Sequence, residues 1–373
     1  MIERILLKNI RKQLYKGKAI ILLGPRQVGK TTLLKELSKQ EQDVLWINAD
    51  NIEDRELFNQ PSATRLKAII GNYKIVIVDE AQRIEDIGVK LKLITDELKH
   101  IQLIATGSSS FELSNTINES LTGRKFEHQL YPISFGELVN QHHLLDELKM
   151  LNHRLIYGSY PDVINNAGNE KEILQQLTNS YLYKDILEWN RIKKSDKIIK
   201  LLQAISFQVG NQVSYHELGQ TVGLNSETVE SYINLLEQSF VVFKLSSFSR
   251  NLRNELKKSH KIYFYDNGVR NSLIANYNPI SLRNDVGALW ENYLISERIK
   301  YCEYHKIYSN TYFWRTHSGQ EIDYIEEREG KLFAYEFKWN KNKKTKIPIA
   351  FKKAYDNYDF KVITPENYET FIN

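Results

Sequence analysis

The chain has 373 residues, 42% of them hydrophobic, and a formal net charge of +5; that length argues for two or three domains with ordinary packed cores, and that charge is too small to prove a polyanionic partner. A single cysteine, Cys302, excludes an internal disulfide framework and suits a reducing cytoplasm. The start MIERILLKNIRKQLYKGKAI is charged throughout and lacks the apolar core of a secretory leader, and no stretch approaches the ~20 apolar residues needed to cross a bilayer, so the expectation is a cytoplasmic protein without a membrane partner.

The first element in chain order is a buried parallel strand, the apolar run at residues 20–23. Gly24, Pro25, Arg26, Gln27, Val28, Gly29, Lys30 and Thr31 then spell G-x-x-x-x-G-K-[ST], with Thr32 next, and Leu33, Leu34 and Leu37 give the apolar face of a following helix. Strand, glycine loop and helix in that order point to triphosphate binding. Glycine lets the backbone wrap so that its N–H groups face phosphate oxygens, and the helix start adds a positive dipole end. Lys30 offsets the β- and γ-phosphate charge, and the Thr31 hydroxyl completes a Mg²⁺ shell.

A run predicted as a strand over DVLWINAD ends at Asp50. KIVIVDEAQRI is a β-branched strand ending in Asp79 and Glu80. Carboxylates at the tip of a buried parallel strand lie at the sheet edge where ligands bind, which gives Asp79 the Mg²⁺ ion through water and Glu80 the attacking water. HIQLIATGSSS is a further buried strand, whose Thr106 or Ser108 could contact the γ-phosphate; turn-forming serines are the competing explanation. In LTGRKF, Arg124 is a candidate charge stabiliser given to a neighbouring subunit, although a lone arginine is more often a surface or salt-bridge residue.

GPRQVGKTT, IVIVDEAQ, ATGSSS and LTGRKFEHQLYPISFGE, in order and spacing, resemble the prokaryotic AAA-type ATPases whose C-terminal half is a domain of unknown function related to restriction-endonuclease-like nucleases. GSYPDV, YLYKDI and KIYFYDNGVRNSL, with Tyr160, Pro161 and Asp185, resemble that group's later landmarks. The resemblance implies an α/β fold: a five-stranded P-loop core over 1–135, a helical extension over 136–205, and a C-terminal nuclease-like domain over 276–373. It also implies ATP as ligand and a ring-like homo-oligomer.

The intervening 206–275 reads as a winged-helix module. His216 to Val222 form a short helix, Gly223 sits in a turn, and Ser226 can N-cap a second helix carrying Val229, Tyr232, Ile233 and Leu236. Two strand-like runs flank a basic loop with Arg250, Arg253, Lys257 and Lys258. Glu227, Glu230 and Glu237 on the second helix would repel phosphate, so protein docking competes with DNA contact as its role.

DVGALWENYLISERIKYCEYH is predicted as an amphipathic helix with Leu289, Tyr293, Leu294 and Ile299 near one face and Glu291 within it. A hairpin follows, with Asp323 in its first strand and Glu336, Phe337 and Lys338 in its second. Side chains two apart on a strand share a face, so Glu336 and Lys338 project together while Phe337 turns into a core. Helix acid, strand acid and E-x-K is the layout of the PD-(D/E)xK nuclease fold, here with Ile322 where a proline usually stands. Glu291, Asp323 and Glu336 are the candidate ligands of Mg²⁺ or Mn²⁺, and Lys338 would orient the metal-bound water or stabilise the extra negative charge. A solvated acid-and-lysine face is the alternative. Seven lysines from Lys338 to Lys353, interleaved with Trp339 and Phe351, could track a phosphate backbone or form a plain basic face. His142, His143 and His317 show no metal-ligand spacing. Together these features predict an ATP-hydrolysing protein acting on DNA through a metal-dependent nuclease-like domain, or else an ATP-gated protein-interaction switch with a silent tail.

Overall fold

The computed structural model describes residues 2–58, 62–108, 120–182, 195–249, 260–342 and 345–373. Ser109, Ser110, Asp185, Arg250, Arg253, Lys257 and Lys258, named above, lie outside the described residues. The chain divides into two compact units, Met1–Ile133 with Gln238–Phe240, and Ser134–Glu237 with Val241–Asn373.

In the first unit, β1 (Ala19–Leu23), β2 (Val44–Asn48), β3 (Ile75–Asp79), β4 (Gln102–Gly107) and β5 (Lys125–Gln129) form one five-stranded sheet in the order β2-β3-β4-β1-β5. Every pairing in it is parallel. β1, β3 and β4 are buried along their whole length, which is why their sequences are continuous apolar runs and not alternations. The expected strand over DVLWINAD stops at Asn48, two residues short of Asp50, whose carboxylate pairs with Arg83 at 2.6 Å. β1 and β3 flank β4 in the sheet, so the loops leaving their carboxyl ends meet beside its tip, the usual ligand position in such sheets. The helices α1 (Ile5–Arg11) and α2 (Lys30–Ser38) precede and follow β1.

The second unit is built on a seven-stranded mixed sheet. Its strands are β6 (Gln212–Val213), β7 (Val242–Ser247), β8 (His260–Phe264), β9 (Asn310–Arg315), β10 (Glu321–Arg328), β11 (Lys331–Phe337) and β12 (Tyr358–Ile363), in the order β12-β11-β10-β9-β7-β8-β6. β7 and β9 pair in parallel through Ser246↔Tyr312 and Ser247↔Phe313, so the segment around the helix pair and the C-terminal strands share one sheet. The helix pair is Tyr215–Val222 and Ser226–Gln238, with Gly223 left-handed between them at φ 69°. Ser214 caps the first helix by accepting from the Glu217 N–H. The second helix is capped by Asn225, whose Oδ1 accepts from the Thr228 N–H at 2.8 Å, and not by Ser226 as the spacing suggested.

The long helix Val286–His305 corrects the amphipathic expectation. Leu289, Trp290, Asn292, Tyr293, Leu294, Ile295, Ser296, Glu297, Arg298 and Lys300 are all buried, so the helix is enclosed on nearly every side and its charges are paired internally. Lys300 meets Glu297 at 2.6 Å. Arg298 donates from Nε and Nη2 to the two oxygens of Glu326 at 2.6 and 3.0 Å, and from Nη1 to the Phe371 carbonyl at 2.6 Å. Such fork-to-carboxylate geometry offsets the desolvation of both ions, and removing one partner strands the other. Replacing Arg298 by Leu is therefore expected to destabilise the second unit by about 3–5 kcal/mol, read as a drop in the denaturant midpoint; an unchanged midpoint would contradict this account of the helix.

Candidate functional site

The loop between β1 and α2 follows from three backbone requirements. Gly24 runs at φ 157°, and a Cβ there would lie 2.2 Å from the Leu130 carbonyl oxygen, so only glycine fits. Gly29, at φ 97°, turns the chain into α2. Arg4 braces the loop: its Nη1 donates to the Val28 carbonyl at 2.9 Å and its Nη2 to the Tyr131 carbonyl at 2.6 Å. Nothing in the local pattern at the amino end marks that role, because the partners lie 24 and 127 residues away.

Lys30 is only 4% exposed. Its Nζ donates to the carbonyls of Gly24 at 2.9 Å and Pro25 at 3.0 Å, and lies 4.0 Å from Glu80 Oε1. The Thr31 hydroxyl donates to Asp79 Oδ2 at 2.7 Å, and the Thr106 hydroxyl donates to Asp79 Oδ1 at 2.5 Å. The Glu80 N–H then donates to Thr106 Oγ1 at 3.0 Å. The start of α2, β3 and β4 are thus tied at one point by Asp79. Ser108 is buried just after β4, whereas Thr32 and Gln27 are exposed and Arg26 is half-buried. Arg124 is not brought here. It precedes β5, whose first residue pairs with Ala19 at the opposite edge of the sheet, and its Nε donates to Asp96 at 2.7 Å.

A second polar cluster lies in the second unit. The antiparallel register runs out to Tyr324↔Tyr335; the next residues outward are Asp323 and Glu336, and the Asp323 charge acts on Glu336. The Phe337 N–H donates to Asp323 Oδ2 at 2.7 Å, and Lys338 Nζ donates to Glu336 Oε1 at 2.6 Å. Phe337 itself is buried among Tyr324 and Phe371, as the alternation required. Burial, and after it the Asp323 charge, push Glu336 up to about 7 against the pull of Lys338. Asp323 is raised as well, by burial.

Glu291 is held elsewhere in that cluster. Its Oε1 accepts from Lys261 Nζ at 3.0 Å and from the Tyr263 hydroxyl at 2.5 Å, and Lys261 also meets Glu321 at 2.6 Å. Burial pushes Glu291 up to about 7, opposed by Lys261, while Glu291, Glu321 and Asp323 together hold the Lys261 ammonium charged despite its burial. Among the described residues no set of three or more His, Cys, Asp or Glu side chains is arranged to hold a metal ion. Lys261 and Tyr263 escaped sequence reasoning; their signal is an alternation on β8 that puts both on the face opposite Ile262 and Phe264. The lysine-rich stretch also differs from expectation. Phe351 is fully buried, so its ring is not presented for stacking on bases, while the half-buried Trp339 packs edge-on against Trp290 at 5.6 Å. Lys346, Lys352 and Lys353 are exposed, and Lys341 pairs with Glu366.

Residues 16–139 match the family model described as an AAA domain. That match agrees with the parallel sheet and its glycine loop, which give the first unit the fold of a P-loop domain of the AAA type. The remainder matches two models described only as domains of unknown function, over residues 148–279 and 286–368. Among solved structures, the Walker-type ATPase of Pyrococcus abyssi is similar in fold, with a TM-score of 0.50, 17% identity, and coverage of 74% of this chain and 96% of that one. An uncharacterized protein of Mycobacterium tuberculosis is 24% identical over 335 residues, 88% of this chain and 72% of the relative. An uncharacterized protein of Methanocaldococcus jannaschii is 24% identical over 395 residues, 97% of this chain and 85% of the relative. No helix of the described residues is long and apolar enough to cross a membrane.

The raised carboxyls have a consequence for stability. Glu291 and Glu336 move from 4.5 to about 7 on folding, so the folded state holds protons that the unfolded chain releases between these values. Their stabilising contribution is complete below the unfolded value and is lost as pH rises through the folded one. In EDTA and without nucleotide, the melting temperature of the wild type is expected to fall from pH 6 to pH 8 more steeply than that of Glu336→Gln. Identical pH dependence of the two proteins would contradict this.

Proposed function

We propose that the chain binds ATP with Mg²⁺ at the loop of the first unit and hydrolyses it. The observation that carries this reading is the position of Lys30: a buried ammonium whose bonds go to two loop carbonyls, ready to be exchanged for phosphate oxygens. Gly24, Pro25, Arg26, Gln27, Val28, Gly29 and Thr32 line the phosphate cradle with backbone N–H groups, proline excepted, and α2 adds its positive end. The hard oxygen donors of Thr31 and Asp79 already converge and suit Mg²⁺, Thr31 directly and Asp79 through water. When bound, that ion offsets charge on the β- and γ-phosphates. Glu80 accepts the proton of the attacking water as the water oxygen bonds to the γ-phosphorus; the bond to the β–γ bridging oxygen breaks, and ADP leaves with its electron pair. Ser108 holds a γ-phosphate oxygen. Arg124, remote from this loop, acts in this reading on the nucleotide of a neighbouring copy in a homo-oligomer. Lys30→Ala is expected to abolish ATP binding in calorimetry, and Glu80→Gln to keep binding while lowering kcat by about 10²–10⁴-fold. Wild-type turnover in Lys30→Ala would sink the reading.

A second reading concerns DNA. The action of the Asp323 charge on Glu336 favours it, because a divalent cation between two buried carboxylates relieves their repulsion. These two residues fit Mg²⁺ or Mn²⁺ as a two-carboxylate pair, with Lys338 placed to orient the attacking water on a phosphodiester. The helix pair and exposed lysines would bring DNA to that pair as a winged-helix-like module, although the exposed Glu227 and Glu230 weigh towards the competing switch with a silent tail. Plasmid nicking with Mg²⁺ or Mn²⁺ separates the two. Cleavage that disappears in both Glu336→Ala and Lys338→Ala is the outcome expected of a nuclease; no cleavage by the wild type assigns the second unit to partner binding.

A further inference from the structure

The surroundings of Glu80 contain one side chain with no role in the hydrolysis described above. Gln82, in the turn after β3, donates from Nε2 to Glu80 Oε2 at 2.6 Å and to Ser108 Oγ at 2.9 Å. It thereby bridges the tips of β3 and β4. The amide orientation is dictated by chemistry, since the reverse assignment would set Oε1 against a carboxylate, acceptor against acceptor. The consequence is that Gln82 Oε1 points away from both partners, where it is buried and has no hydrogen-bond partner among the described residues. A buried acceptor left unmade is uncommon and marks a place for a donor, such as a solvent molecule.

Glu80 has its own constraint. Its backbone is left-handed at φ 52°, a conformation that non-glycine residues seldom adopt and that recurs at functional positions. The bond from its N–H to Thr106 fixes the root of the side chain. Gln82 fixes the tip. The carboxylate is therefore clamped at both ends, and its free oxygen, Oε1, is the one 4.0 Å from Lys30.

We propose that Gln82 is a positioning residue for ATP hydrolysis: its Nε2 holds the Glu80 carboxylate beside Ser108, and its Oε1 accepts a hydrogen from the attacking water. This rests on the reading of Glu80 as proton acceptor.

The test compares Gln82→Ala, Gln82→Glu and Glu80→Gln in the full chain, with equilibrium ATP binding and steady-state turnover measured on each. Gln82→Ala removes the donor, and Gln82→Glu replaces it with a charge that repels Glu80. Both are expected to lower kcat by about tenfold or more while the Kd for ATP stays within about threefold. If Gln82→Ala turns over within about twofold of wild type while Glu80→Gln is inactive, this inference fails and the hydrolysis reading stands. If Glu80→Gln turns over like wild type, both fail. If both Gln82 variants lose ATP affinity in step with kcat, the side chain is structural and the inference is overturned.

Discussion

Asp79 accepts a hydroxyl hydrogen bond on each carboxylate oxygen, one from Thr31 in the first turn of α2 and one from Thr106 in β4. The rest of the first unit is arranged so that this can happen. A parallel order with β4 between β1 and β3 sends both loops to one edge, and strands buried end to end leave the acid no solvent but what enters at that edge. Take away the two threonines and a buried carboxylate is left with unmet acceptors, at a cost of about 1–3 kcal/mol or more. The same two-sided grip fixes the distance between the glycine loop and the Glu80 turn, which phosphoryl transfer requires to be constant to a fraction of an ångström.

The second unit solves a different electrostatic problem. It buries many ions, and where a partner of opposite sign stands close, as with Arg298 and Glu326 or Lys300 and Glu297, the acids remain tied in hydrogen-bonded pairs. Around Asp323 four acids, Glu291, Glu321, Asp323 and Glu336, gather near Lys261, Lys338 and Arg315. Lys261 serves Glu291 and Glu321, Arg315 also meets Glu321, Lys338 serves Glu336, and Asp323 accepts from the Phe337 backbone amide. Burial, and after it the charge of Asp323, pushes the Glu291 and Glu336 carboxyls towards neutrality. An interior that tolerates such a surplus is unlike an ordinary structural core, in which unpaired charge is removed or matched.

Much of the first unit was legible because its signals are local. The run at residues 20–23, the glycine loop and the β-branched run ending in Asp79 each announce element and role within about ten residues. The hairpin carrying Asp323, Glu336 and Lys338 was legible for the same reason, through period-two alternation. What was not legible depends on distant pairing. Glu291 could be seen on a helix but not as the partner of Lys261, 30 residues before it. The long helix resembled a surface element because Glu297, Arg298 and Lys300 read as solvent-facing; only tertiary neighbours reveal that each has a buried counter-ion. Arg124 carries no local mark of which sheet edge it occupies, since that follows from the pairing of β5 with β1.

The brace from Arg4 has a reach beyond its own two bonds. One guanidinium joins the glycine loop to the segment after β5, so three stretches far apart in sequence form a single mechanical part. A change that loosens Arg4 will be felt at the glycine loop, although it alters none of the loop's own residues.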